Sequence, residues 1–310
     1  MYYPIIFNPI YKQTIWGGGK LSKLFCRTLP FNNVGESWDI SCRQNEMGVV
    51  KNGDFSGLPF STLIAKDPVG YLGSALSDAK EFPLLVKLID ACDNLSVQVH
   101  PPGEKSEIWV VLQADDGAQL NVGLVPGTNR DTFASAVLSH EVEKYLNFIS
   151  VKAGDVINIP AGIVHAIGAG VVLAEIQQNS DTTYRVYDYG RLDTSGTPRK
   201  LHTAEALDSI DFGAESDLLL GQISDVQGGK IIFYCQTKYY ALYEYVVDTY
   251  IDERSDSNRF SIFTCLDNGC NISTNGSSTL ISAGDSVFIP AALGEFSIIG
   301  KCRLLKTFVP

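Results

Sequence analysis

The stretch AGDVINIPAGIVHAIG, residues 153–168, returns in altered form as AGDSVFIPAALGEFSI, residues 283–298. Each copy begins with Ala-Gly-Asp, continues with an apolar segment and reaches Ile-Pro-Ala at the same place. Self-similarity at a fixed offset is the sequence signature of a repeated structural unit. A turn, a strand and a Pro-terminated edge in the same order twice predict two β-barrel modules of one architecture.

Strand-like segments dominate the rest of the chain. They are short, rich in Val, Ile and Phe, and separated by Gly, Asn, Asp and Ser, which is typical of a β-sandwich or barrel. Asn275-Gly276 is a favourable hairpin turn. The segments are PLLVKLID (83–90), LSVQVHP (95–101), EIWVVLQA (107–114), DVINIP (155–160), VVLAEIQQ (171–178), KIIFYCQ (230–236), YALYEYVVD (240–248), RFSIFTCL (259–266), TLISAGDSVFIP (279–290) and CRLLKTFV (302–309).

Helical signals are few. The longest candidate is NRDTFASAVLSHEVEKYLN, residues 129–147, which Asp131 or Thr132 could cap. Two shorter candidates cover residues 60–65 and 204–210. We therefore expect an all-β-dominated fold with a small helical insertion at about residues 127–148.

The bulk composition excludes some functions. The chain has 310 residues, 45% of them hydrophobic, and a formal net charge of −11. This charge disfavours a duplex nucleic-acid partner, which requires a basic face. It leaves room for a phosphorylated small molecule, because a few cations focused in a pocket can bind a phosphate.

The cysteine pattern and the N-terminus favour a cytoplasmic location. The seven Cys are scattered, odd in number and without a C-x-x-C pair, so we expect reduced, buried thiols. The start MYYPIIFNPIYK has no basic region typical of a signal peptide. No apolar run approaches the roughly 20 residues of a membrane span.

A candidate metal site begins in LSVQVHP. Side chains alternate along a strand, so Gln98 and His100 point the same way, two residues apart. Glu107 starts the next strand, which the turn at residues 101–103 could bring alongside. His165 follows the Ile-Pro-Ala-Gly of the repeat. Two His, a carboxylate and an amide oxygen suit Zn²⁺, Fe²⁺, Mn²⁺ or Co²⁺ at a catalytic rather than a structural site.

The repeat predicts that only the first module holds a metal. At the offset of the repeat, His165 is matched by Glu295, and no His follows His202. His140 and His202 match no ligand motif, and we expect both to be structural or surface residues.

Several motifs together resemble the type I mannose-6-phosphate isomerases, the shorter bacterial branch in particular. They occur in order along the chain, and the double module extends the resemblance to its full length. The motifs are TIWGG (14–18), GESWDIS (35–41), FPLLVKLIDACDNLSVQVHP (82–101), EKSEIW (104–109), IPAGIVHAIG (159–168) and EIQQNSDTTYRVYDYGR (175–191).

The resemblance implies a fold, a cofactor and site residues. It implies two cupin modules, that is, jelly-roll β-barrels, and one Zn²⁺ per chain bound by Gln98, His100, Glu107 and His165. It implies a catalytic Arg185. Lys105, Glu175 and Asp181 match polar active-site positions of the family, and Lys87 is a further, weaker match. We expect Lys87, Lys105 and Arg185 to contact the substrate.

The resemblance also implies a reaction and a division of the chain. The reaction is the interconversion of mannose 6-phosphate and fructose 6-phosphate through a cis-enediol. Lys105, Glu175 and Asp181 are all candidates for the base. We expect a catalytic module at residues 1–212, carrying the helical insertion, and a metal-free module at residues 213–310.

Two other functions remain open at the level of sequence. One is another cupin metalloenzyme, such as an isomerase of a different sugar or an Fe²⁺ oxygenase, although a full ligand set disfavours the oxygenase. The other is a non-catalytic sugar-binding protein. The retention of Arg185, Lys105 and all four expected ligands argues against it.

Overall fold

The computed structural model describes residues 1–193 and 195–310 of the chain. Thirteen of its strands precede residue 190, and every strand predicted in this half is present. The strands are β1 (Ile5–Asn8), β2 (Ile10–Gly18), β3 (Val34–Ile40), β4 (Val49–Val50), β5 (Leu84–Asp90), β6 (Val97–Val99), β7 (Glu107–Ala114), β8 (Gln119–Leu124), β9 (Leu146–Ser150), β10 (Val156–Ile159), β11 (His165–Ile167), β12 (Val171–Gln178) and β13 (Tyr184–Tyr187).

Ten further strands form the C-terminal part. The segment 279–290, predicted as one strand, contains parts of two, and Asn275-Gly276 closes a hairpin with Gly276 at a φ of +117°. The strands are β14 (Gln222–Val226), β15 (Gly229–Gln236), β16 (Ala241–Val247), β17 (Tyr250–Arg254), β18 (Ser261–Cys265), β19 (Gly269–Thr274), β20 (Ser277–Ser282), β21 (Ser286–Ile289), β22 (Glu295–Ile299) and β23 (Cys302–Phe308).

Five short α-helices complete the fold: α1 (Lys20–Phe25), α2 (Phe60–Lys66), α3 (Pro68–Leu72), α4 (Arg130–Leu138) and α5 (Thr203–Ser209). The helix predicted over residues 129–147 is shorter than expected. Helix α4 ends at Leu138, and a separate 3-10 turn, Val142–Tyr145, follows. The predicted caps Asp131 and Thr132 were wrong: Asn129 is the cap and accepts a hydrogen bond from the Thr132 N–H. A cap precedes the first helical residue, and both predicted residues lie inside the helix.

The first module is a sandwich of two antiparallel sheets. One has the strand order β10-β7-β12-β5-β3-β2, and the other β13-β6-β11-β8-β9. Their inner faces enclose a core that includes Trp109, Val122, Ile167 and Leu173. The candidate site lies in this module.

The second module pairs an eight-stranded sheet with a four-stranded one. The orders are β14-β15-β16-β23-β18-β21-β1-β4 and β17-β22-β19-β20. Strands β1 and β4, from the N-terminal part of the chain, complete the larger sheet, because β1 pairs with β21. The expected all-β fold with two modules and a small helical insertion is thus confirmed, while the boundary near residue 212 stays a prediction about folding units.

The two modules join through an apolar core between their larger sheets. Leu84, Val86 and Ile176 of the first module belong to one cluster with Ile262 and Phe288 of the second. Both faces of strand β5 are buried, which explains its unbroken apolar sequence. The larger sheet of the first module therefore packs against the second module.

The outer faces of the two smaller sheets differ in what covers them. In the first module α4 and α5 cover this face, and the strand residues there are apolar, such as Val97, Val99 and Ala166. In the second module the corresponding face carries the exposed residues Asp252 and Glu295. Coverage by α4 and α5 thus accounts for the apolar side chains of β6 that point away from the candidate site.

Two further expectations concern the thiols and the membrane. Cys265, Cys270 and Cys302 are buried free thiols, as expected, but Cys26 and Cys92 are exposed. Both exposed thiols lie outside the strands, at a helix end and in a loop. Among the described helices, none has the length and apolarity needed to cross a membrane.

Candidate metal centre and active-site cavity

Three of the four predicted ligands lie on strands of the first module, and His100 directly follows β6. Gln98 is the central residue of β6, and it pairs directly with His165, the first residue of β11. Glu107 begins β7, which was expected alongside β6 but lies in the other sheet. The turn at residues 101–103 carries the chain across the sandwich, so Glu107 meets the two His from the opposite side.

The ligand atoms of His100, Glu107 and His165 converge. Glu107 Oε2 lies 3.3 Å from His100 Nε2, and Glu107 Oε1 lies 3.4 Å from His165 Nε2. Gln98 Nε2 is 3.3 Å from His165 Nε2. All three of His100, Glu107 and His165 are almost fully buried. In the described part of the chain this is the one group of His, Cys, Asp and Glu side chains compact enough to share an ion.

Hydrogen bonds orient both imidazoles for metal binding. The Nδ1–H of His100 donates to the carbonyl of Thr182 at 2.9 Å, and the Nδ1–H of His165 donates to the carbonyl of Ile163 at 2.8 Å. In a neutral imidazole each Nε2 then carries a lone pair directed at the carboxylate of Glu107. Such backbone partners are the arrangement that metal-binding His residues use to fix their orientation.

In the described part of the chain neither oxygen of the buried Glu107 carboxylate accepts a hydrogen bond of regular geometry, although Lys105 forms an ion pair with Oε2. Two imidazole lone pairs face this carboxylate, so three acceptors meet in a dry interior. Lys105 Nζ lies 3.0 Å from Glu107 Oε2 and 3.1 Å from His100 Nε2. A divalent cation among the three acceptors would satisfy all of them. The residues therefore fit a metal ion.

Burial and charge set the protonation of the centre. Desolvation, together with the Lys105 charge, lowers the pKa of His100 to about 3. Desolvation also lowers the pKa of His165. Burial alone would raise the pKa of Glu107, but Lys105 and the two His hold it well below the usual range. The group is thus ionised at Glu107 and neutral at both His, which is the state that binds a metal.

A second charged cluster adjoins the centre on β5 and β12. Lys87 Nζ lies 3.1 Å from Glu175 Oε1 and 3.4 Å from Glu36 Oε2. Trp109 Nε1–H donates to Glu175 Oε2 at 3.0 Å. Burial and the nearby charge of Glu107 raise the pKa of Glu175. Although burial opposes its charge, the two carboxylates hold the pKa of Lys87 above the usual range.

A cavity of about 610 Å³ adjoins this charged cluster. The remaining predicted residues, Asp181 and Arg185, lie on its wall. Asp181 is exposed, in the loop between β12 and β13. Arg185 is half-buried on β13 and donates from Nη1 to the Lys200 carbonyl at 2.9 Å. His202 is structural, as expected: its Nδ1 accepts the Arg185 backbone N–H at 3.2 Å. Lys87, Gln98, Lys105 and Glu175 line the same cavity.

The sequence reasoning missed four residues near the site. Glu36 and Arg199 line the cavity, and Trp38 and Trp109 donate to Glu36 and Glu175 respectively. Glu36 and Trp38 stand in the motif GESWDIS, where their alternate spacing could have marked one strand face. Arg199 follows a loop, and nothing in its sequence neighbourhood singles it out.

The second module has a different set of side chains at the corresponding place. Glu295, the match to His165 by sequence offset, is exposed, whereas its neighbour Phe296 is buried in the interior. The turns that precede the two strands also differ. The left-handed glycine of the first turn is Gly162, whereas in the second it is Gly294, two residues later in the repeat. Glu295 thus matches His165 in the sequence repeat and in its place at the start of a strand, but the two side chains differ in exposure.

The chain is similar to known proteins over its full length. Residues 5–121 match the family model of the phosphomannose isomerase type I catalytic domain, and residues 230–309 match that of the mannose-6-phosphate isomerase cupin domain. A mannose-6-phosphate isomerase of Streptococcus mutans is 31% identical over 98% of both chains. A Bacillus subtilis protein named as a probable mannose-6-phosphate isomerase is 33% identical, over 98% of this chain and 99% of that protein.

A solved structure agrees with this relationship. The crystal structure of a mannose 6-phosphate isomerase from Bacillus subtilis superposes with a TM-score of 0.92, at 29% identity and 99% coverage of both chains. The sequence similarity and the fold thus lead to the same conclusion as the motifs. The chain belongs to the type I family of mannose-6-phosphate isomerases, enzymes of the cupin superfamily.

Proposed function

We propose that the protein is a zinc-dependent aldose–ketose isomerase that interconverts mannose 6-phosphate and fructose 6-phosphate through a cis-enediol. The observation that carries the proposal is the buried carboxylate of Glu107, which faces two oriented His residues beside a charged cavity. The family relationship supplies the substrate pair. The cluster supplies the reason for a metal.

The proposed zinc ligands are Gln98, His100, Glu107 and His165. A mixed nitrogen and oxygen set without Cys, beside an open cavity, is typical of catalytic zinc. Turning the Gln98 amide by 180° exchanges its nitrogen and oxygen, which presents Oε1 to the ion. When bound, the ion acts as a Lewis acid that stabilises negative charge on the sugar oxygens O1 and O2.

We propose that Glu175 is the base. Its carboxylate is buried, and a raised pKa makes it a stronger base than an ordinary Glu. In the direction from mannose 6-phosphate to fructose 6-phosphate, Glu175 takes the proton from C2 of the open-chain aldose and returns it to C1 of the cis-enediol. A second proton passes from O2 to O1, and Lys105 is the nearest cationic donor for that exchange.

The rim of the cavity supports recognition of the phosphate. Arg185 and Arg199 both line it, and among the described residues the Nε of Arg185 has no hydrogen-bond partner. Arginine binds phosphate through parallel N–H donors, which fixes orientation as well as charge. Holding the distant phosphate would align C1 and C2 with the base and the metal, and so contribute to the rate.

We also propose a division of labour and a location. Residues 1–212 would form the catalytic module, and residues 213–310 would form a metal-free module that supports it through the shared apolar core. A cytoplasmic location fits the substrate class, because sugar phosphates are charged and do not cross membranes unaided.

A coupled assay of mannose 6-phosphate conversion, with and without chelator, tests the proposal. We expect turnover that is lost on chelation and restored by one equivalent of Zn²⁺ per chain. Stoichiometric zinc binding without turnover would instead favour a sugar-binding protein. Turnover that survives complete metal removal would contradict the metal-dependent mechanism.

A further inference from the structure

We propose that Trp109 is a positioning residue that holds the Glu175 carboxylate in place relative to the metal centre. The inference deepens the proposed function, since it rests on Glu175 as the base. Trp109 is fully buried on β7, two residues after Glu107 and on the same strand face. Its side chain therefore lies between the metal centre and the candidate base, which it faces across the sheet.

Two contacts define this position. The indole Nε1–H donates to Glu175 Oε2 at 3.0 Å. The indole also meets the His165 ring edge to face, with ring centroids 5.5 Å apart and an interplanar angle of 74°. One rigid side chain thus touches the ligand His165 and the proposed base at once.

The two carboxylate oxygens of Glu175 have different partners. Trp109 occupies Oε2, while Lys87 lies 3.1 Å from Oε1. Without the indole donor, Oε2 would be a buried acceptor with no partner, and the carboxylate could rotate about its terminal torsion. A base whose oxygen has moved by 1 Å transfers a proton far more slowly.

The second module provides an internal comparison. Strand register places Trp109 opposite Ile157 and Phe263 opposite Val287, two positions that the repeat relates to each other. Phe263 therefore occupies the place of Trp109 in the second module. The fold accommodates an aromatic ring there that has no N–H donor.

The partners of the aromatic ring change together with it. Across the sheet Trp109 pairs with Glu175, but Phe263 pairs with Lys306. Phe263 also meets Phe296 edge to face at 6.1 Å and 84°, as Trp109 meets His165. The aromatic packing is common to both modules, whereas the indole N–H occurs where there is a carboxylate to receive it.

The test compares W109F, E175Q and the double variant W109F/E175Q in the zinc-loaded protein. We expect W109F to keep one zinc per chain and a KM within about twofold of wild type, with kcat at least about tenfold lower. We expect the double variant to be no slower than E175Q, because Trp109 acts through Glu175. If Trp109 had a purely structural role, the reductions in kcat caused by W109F and by E175Q would multiply in the double variant.

The matched control is Y245F. Tyr245 is a buried aromatic donor to Glu253 at 2.5 Å in the second module, so the variant removes the same kind of bond outside the site. We expect Y245F to retain wild-type kcat. If W109F does not fold, site-specific replacement of Trp109 by its benzothiophene analogue removes the N–H and keeps the ring shape.

The outcomes separate this proposal from the function on which it rests. Wild-type protein that does not convert mannose 6-phosphate overturns the proposed function and this inference with it. With an active wild type, this inference alone is overturned if W109F keeps full kcat, if it loses zinc, or if its effect multiplies with that of E175Q.

Discussion

The imidazole rings of His100 and His165 lie 4.7 Å apart between centroids, although 64 residues separate them along the chain. His100 directly follows strand β6, His165 begins strand β11, and the direct pairing of Gln98 with His165 fixes the register of the two strands. Glu107 closes the group from the opposite sheet. The geometry leads to four predictions that complement the test of Trp109.

Replacing the proposed zinc ligand His165 should affect metal binding, whereas replacing Arg185 should affect catalysis alone. We expect H165A to bind less than a tenth of the zinc of wild type, because one of the nitrogen ligands is gone. R185A should retain one zinc per chain and lose at least about 100-fold in kcat/KM, because its charge serves the substrate. Metal analysis and steady-state kinetics on both proteins check this. Loss of zinc from R185A would show that our role for Arg185 is wrong.

The choice of base can be tested with two isosteric variants. We expect E175Q to lower kcat by about 100-fold or more, the usual contribution of a general base. D181N, at an exposed position of the same cavity wall, should lower it by less than about tenfold. If D181N proved the slower of the two, Asp181 rather than Glu175 would be the base.

The stability of the metal-free protein should fall in acid because of His100. Its pKa is about 3 in the folded chain and about 6.5 when unfolded, so between these values the unfolded state binds the extra proton. The contribution of neutral His100 to the free energy of unfolding is therefore complete above pH 6.5. It is lost as the pH falls towards 3, by up to about 1.4 kcal/mol per pH unit.

The matched variant for this effect is H100Q. Urea denaturation of the chelated proteins between pH 6 and pH 4 gives the free energy of unfolding at each pH. We expect this free energy to fall less steeply with falling pH in H100Q than in wild type, with a difference in slope that corresponds to nearly one proton per molecule. Equal slopes for the two proteins would mean that His100 is protonated in the folded state as readily as in the unfolded one.

The core between the modules should make a large contribution to stability. Phe288 is fully buried, and its ring centroid lies 5.2 Å from those of both Phe60 and Phe260. We expect F288A to lower the free energy of unfolding by about 3–5 kcal/mol, while L280A at an exposed position changes it by less than about 0.5 kcal/mol.

The same experiment tests the division of the chain. If the two modules depend on the shared core, thermal unfolding of the wild type should occur in one transition, and F288A should shift that whole transition. Two separate transitions, with only one of them moved by F288A, would show that the modules unfold independently.

The local pattern of the sequence determined the secondary structure and part of the site. Alternation along LSVQVHP was enough to place Gln98 and His100 on one face, because a strand has a side-chain period of two. The repeat was enough to predict two modules. The repeat also drew attention to His165, and the family motifs added Glu107, Arg185 and the expected reaction.

Only the tertiary structure decided which side chains meet across the sandwich. Glu107 reaches the two His from the facing sheet, and Trp109 joins Glu175 to His165, contacts that depend on strands distant in sequence. The exposure of matched repeat positions also depends on tertiary structure: His165 is buried, whereas Glu295 is exposed. An offset in sequence does not record which face of a strand is packed against the core.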